Sequence, residues 1–71
     1  MEAFKKNING IDFEFQGVSE GQHEICMVWS EDHQFKMTVD EDGYWQILQQ
    51  VPKWIKELEG ALGEAIEEAY E

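Results

Sequence analysis

The chain has 71 residues, 16 of them acidic and 5 basic, for a formal charge of −11. That length predicts one domain, and that charge disfavours direct binding to nucleic acid, because no basic stripe is available to neutralise phosphates. Cys26 is the single cysteine, which excludes a disulfide within the chain, and with only His23 and His33 beside it a zinc site is disfavoured as well.

A lone cysteine fits a reducing compartment. The first residues, MEAFKKNING, lack an apolar leader core, and no apolar run approaches the roughly 18 residues of a membrane span. A cytoplasmic protein without membrane attachment is therefore expected.

Residues 3–8 form the first strand candidate, with Phe4, Lys6 and Ile8 on one side. Asn9-Gly10 follows, the dipeptide preferred where both central residues of a hairpin turn need positive φ. Residues 11–17 alternate apolar and polar side chains, as a strand with one buried and one wet face does. The glycines and polar residues of 17–22 predict a loop. Residues 23–30 form a third strand that is apolar on both faces, with Ile25, Met27 and Trp29 on one and Cys26 and Val28 on the other. After a turn at Glu31-Asp32-His33, residues 34–40 alternate again through Phe35, Met37 and Val39.

Asp42-Gly43 and the aromatic pair Tyr44-Trp45 predict a fifth strand at 44–48, although Tyr44, Ile47, Leu48 and Val51 also have helical spacing. Residues 52–70 predict an amphipathic helix opened by Pro52 at its first position. Its apolar side runs through Trp54, Ile55, Leu58, Ala61, Leu62, Ala65, Ile66 and Ala69. The expected fold is α+β: an antiparallel meander of four to five strands, covered on one face by a single C-terminal amphipathic helix. Phe13, Phe15, Met27, Trp29, Phe35 and Met37 are expected beneath it.

Three features bear on function. Glu64, Glu67 and Glu68 crowd the helix C-terminus, where acids oppose the macrodipole and repel one another, so a basic partner would relieve them. Gly60 and Gly63 inside the helix each cost about 1 kcal/mol relative to alanine, and they predict a local weakness at which the helix bends, the alternative being close approach of another backbone such as a second protomer's helix. On the sheet face away from the helix, alternation places Cys26 and Val28 among Asp12, Glu14, Lys36 and Thr38, with Tyr44 or Trp45 beside them. Such an apolar patch on a charged surface suits an interface, a homodimer being the simplest.

His23 and Cys26 fall on opposite faces of a regular strand, which spoils a nucleophile–base pair. Asp40, Glu41 and Asp42 lack the spacing of a calcium loop. No catalytic, metal or cofactor residue is expected. The expected function is a small acidic protein-interaction or regulatory module, its interface drawn from Cys26, Val28, Tyr44, Trp45, Glu64, Glu67 and Glu68. The alternative is an acidic decoy that imitates nucleic acid and occupies the site of a nucleic-acid-binding protein.

Overall fold

The computed structural model describes residues 2–21 and 23–70, with the side chains of residues 19, 20, 23 and 70 left out. Strands β1 (Phe4–Ile8), β2 (Ile11–Glu20), β3 (His23–Ser30), β4 (His33–Val39) and β5 (Trp45–Ile47) form an antiparallel sheet in the order β1-β2-β3-β4-β5. Helices α1 (Lys53–Lys56) and α2 (Glu59–Tyr70) follow. This is the α+β meander and C-terminal helical cover that the patterning predicts.

Turn chemistry explains the hairpins. Asn9 and Gly10 both sit at positive φ, 56° and 83°, as a two-residue turn matched to strand twist requires. Asn7 braces that turn: its Oδ1 accepts from the Gly10 N–H at 3.2 Å and its Nδ2 donates to Asp12 at 2.9 Å. Between β4 and β5 the Asp40 carboxylate accepts the N–H groups of Asp42 and Tyr44, both at 2.9 Å. Gly43, at φ 87°, supplies the left-handed residue that closes this loop. The ambiguous stretch is therefore a strand, shorter than predicted.

The loop expected at residues 17–22 is a correction. β2 continues to Glu20, with Gly17 opposite Cys26 and Val18 opposite Ile25, and Gly21 at φ 63° begins the turn. The Gln22 part of the expected loop lies outside the described residues.

The β2–β3 register decides which face of β3 meets the helix. Phe15 stands opposite Val28, and Val28 opposite Phe35. Directly opposed residues of an antiparallel pair share a face, so Cys26 and Val28 join Phe13, Phe15, Phe35 and Met37 beneath the helices, both at 0% exposure. Met27 and Trp29, expected there, lie half-buried on the outer face. A strand apolar on both faces holds no alternation signal to orient it, and a one-residue change of register exchanges its faces.

Trp45 from β5, with Ile55, Leu62, Ala65 and Ile66 from the helices, completes the core. Phe4 stacks on Phe15 at 4.7 Å between ring centroids and 7° between planes. Leu62 and Ile66 are each fully buried, which stabilises the helix-on-sheet packing by about 1.5–3 kcal/mol per side chain.

The helix is also interrupted, not at the glycines but at Glu57 and Leu58. Leu58 N–H donates to Ile55 O at 2.9 Å, a tightened bond that ends α1, and Leu62 N–H donates to Leu58 O at 2.9 Å as α2 begins. Ala61 and Ala69 are exposed, and Trp54, at 39% exposure, packs edge-on against His33 with ring centroids 5.6 Å apart.

Candidate functional site

The break between the helices points Glu59 at the edge of the sheet. In β5 the Leu48 N–H donates inward to Lys36 O at 2.9 Å, so the N–H of the preceding residue, Ile47, faces away from β4. Glu59 Oε2 accepts from that outward N–H at 2.8 Å and from Lys56 Nζ at 2.8 Å. Burial opposes ionisation of Glu59, but the Ile47 N–H and the Lys56 ammonium outweigh it, and its carboxyl lies below the usual glutamate range. The carboxylate thus ties α2 to β5 and covers an edge donor that would otherwise be open to a foreign strand.

Beside this tie is a groove of about 300 Å³ between β5 and α2. Trp45, 8% exposed, lies beneath it, and Tyr44, 70% exposed, stands at its mouth. Gly60, Glu64 and Glu67 line the helical wall, and their spacing of four and three residues keeps them on one side of α2. Gly63 brings the helix down onto Trp45: a Cβ there would lie 3.1 Å from Trp45 Cβ. A Cβ on Gly60 would meet nothing within 4 Å. Gly63 is explained by packing within the chain. Gly60 is not, and its bare backbone leaves the groove open.

The structure therefore brings together Tyr44, Trp45, Glu64 and Glu67 from among the expected interface residues. Glu68 stands apart, accepting from Lys6 Nζ of β1 at 2.8 Å on the other flank of α2. Cys26 and Val28 are corrections, since both lie in the core and present no surface. The Cys26 thiol is pushed up to about 11 by burial, against a smaller opposite effect of a backbone hydrogen bond from Gln16. Glu59 was missing from the expectation, and Gly60 was singled out there only as a weak point of the helix or a place for another backbone. The two glycines inside a helical pattern were the available signal for the groove, but nothing local pointed Gly63 rather than Gly60 at the sheet.

Among the described residues no three His, Cys, Asp or Glu side chains converge as metal ligands would, and no helix is long and apolar enough to cross a membrane. The side chain of His23 lies outside the described set. Comparison with known proteins finds no matching family model, no significantly similar curated protein and no significantly similar solved structure.

Proposed function

We propose that the domain is a protein-interaction module that receives a basic segment of a partner protein in the groove between β5 and α2. The observation that carries this reading is the opening at Gly60, a glycine in the first turn of α2 that packs against nothing of its own chain. An exposed Tyr44 ring and the Glu64 and Glu67 carboxylates surround that opening. A lysine or arginine side chain entering it would lay its aliphatic stem along the glycine backbone. Its cation would meet the carboxylates and the face of Tyr44. The acids near the helix C-terminus, unfavourable for the isolated fold, would gain their counter-charge from the partner. Two copies would not join through this surface, since their carboxylates repel.

Imitation of a nucleic-acid backbone has weaker support. It would need carboxylates arrayed over a whole face, whereas the acids of the groove flank an aromatic and glycine centre, as charged rims flank apolar centres at protein interfaces.

Titration of an oligolysine peptide into the labelled protein, followed by two-dimensional NMR, tests the proposal. The amides of Gly60, Gly63, Glu64 and Glu67 are expected to shift together. Tyr44→Ala is expected to weaken binding about two- to fivefold, the size of an exposed cation–π contact. Gly60→Ala is expected to abolish the shifts while making the fold more stable. Equal shifts with Gly60→Ala, or shifts confined to other surfaces, would sink the groove as the site.

A further inference from the structure

The two edges of the sheet are finished differently. At β5 the ladder is three residues long, and Glu59 holds the outward N–H of Ile47. At the opposite edge lies β1, five residues long. Its hairpin to β2 has a two-residue loop, which makes Ile8 and Ile11 a hydrogen-bonded pair. Ile8, Lys6 and Phe4 therefore turn their backbone groups to β2, and Lys5, with Ala3 before it, turns its own outward. Among the described residues no backbone group of another element bonds to those of Lys5. An open edge of this kind is a template for a further strand.

Beside it is a hollow of about 520 Å³, lined by Ala3, Phe4 and Lys6 and by Ala65, Glu68 and Ala69 of α2. No β2 residue lines it, so it lies on the side that an added strand would occupy. Phe4 is half-buried, its ring stacked on Phe15 and bordering the hollow. The alanines of the helical wall leave room there for a side chain of the added strand, as strand-addition sites do.

The sequence of β1 says which strand fits. Lys5 and Lys6, two of the five basic residues in a chain carrying −11, balance Glu2 and Glu68 on this edge, so two copies can approach here without net repulsion. A second β1 would join antiparallel about a two-fold axis, outward residues facing outward residues. Centring the axis on Lys5 or Lys6 sets like charges directly opposite, which destabilises. Ala3 as centre faces Glu2 with Phe4, and Asn7 as centre runs the ladder into the turn and away from the hollow. Phe4 as centre sets Lys5 opposite the partner's Ala3 and Lys6 opposite the partner's Glu2. Lys6, whose Nζ is 2.8 Å from Glu68, then gains a second carboxylate, and symmetry repeats the pair. The two Phe4 rings meet across the axis as a non-hydrogen-bonded pair, the closer kind, and extend the stack on Phe15.

We infer that the open edge of β1 is the docking surface for β1 of a second copy, giving one continuous sheet centred on the two Phe4 residues. The groove between β5 and α2 lies at the other edge and stays open in such a dimer.

Sedimentation equilibrium of the full chain from micromolar to millimolar concentration tests this, with amide exchange followed over the same range. A dimer is expected, and exchange of the Lys5 amide is expected to slow as it forms. Glu2→Lys is expected to weaken it about tenfold, because both Lys6 pairs become repulsive. Glu2 is exposed, so the fold tolerates that change. Lys5→Pro removes the outward N–H and no bond of the β1–β2 ladder, and it is expected to leave a folded monomer. Should the proline unfold the chain, Glu2→Lys decides alone. A monomer at every concentration overturns the inference, as does a dimer indifferent to Glu2→Lys or to a folded Lys5→Pro.

Discussion

Gly63 of α2 and Trp45 of β5 approach so closely that a Cβ on the glycine would lie 3.1 Å from the Cβ of the tryptophan. This contact seats the helix on the fifth strand, and it separates two glycines that look alike in the sequence. Replacing Gly60 by alanine is expected to stabilise the fold by about 0.5–1 kcal/mol, since helix propensity improves and nothing is touched. At Gly63 the same change must displace Trp45, a core residue attached to a strand, and the gain is lost to strain. Chemical denaturation of the two variants side by side reads the contrast, and equal stabilisation of both would show that the helix does not rest on Trp45.

Glu59 holds Ile47 N–H and Lys56 Nζ with one carboxylate oxygen. Removing it in Glu59→Ala is expected to cost about 1.5–3 kcal/mol, the range for a hydrogen bond to a charged group. The same site gives the protein a pH dependence. Glu59 and Asp40 both have folded-state acidities shifted below the usual range. For Glu59 the Ile47 and Lys56 bonds overcome burial, and for Asp40 the leading cause is the Tyr44 N–H. Their stabilisation is complete above the ordinary values of 4.5 and 3.8. It is lost as pH falls from there through the lower folded values, where the unfolded chain binds protons first. Thermal melts from pH 7 to pH 2 are expected to show this decline, and a smaller one in Glu59→Gln.

Cys26 is expected to react with a thiol reagent at neutral pH only as fast as the protein opens, because it is fully buried and its thiol is pushed up to about 11. Stability carried by the neutral thiol is present below the unfolded value near 9 and is lost as pH rises from there toward about 11. Rapid labelling under native conditions would place Cys26 outside the core.

Ser30 ends β3 at 2% exposure, and its hydroxyl has no hydrogen-bond partner among the described residues. Ser30→Ala removes a buried polar group and leaves no orphaned partner, so it is expected to raise stability by about 1 kcal/mol. Loss of stability on urea titration would mean that the hydroxyl is satisfied after all.

The order and kind of the elements follow from local chemistry that the sequence carries by itself. Asn9-Gly10 sets its turn with both residues at positive φ, and Gly43 alone supplies that conformation in the loop before β5. Residues 11–16 alternate without error, and the helical stretch repeats its apolar residues at three and four. What these signals left undetermined are the relations between elements. β3 is apolar on both faces, so which face meets the helix depends on Phe15 standing opposite Val28, and this register moved Cys26 and Val28 inside and Met27 and Trp29 out. The interruption at Glu57 and Leu58 likewise has no glycine to announce it. It arises where the chain must bring Glu59 to Ile47 and Gly63 to Trp45 at once, and only the folded sheet supplies those two partners. The groove of Tyr44, Gly60, Glu64 and Glu67 exists for the same reason: its walls are distant in sequence, and packing alone makes them neighbours.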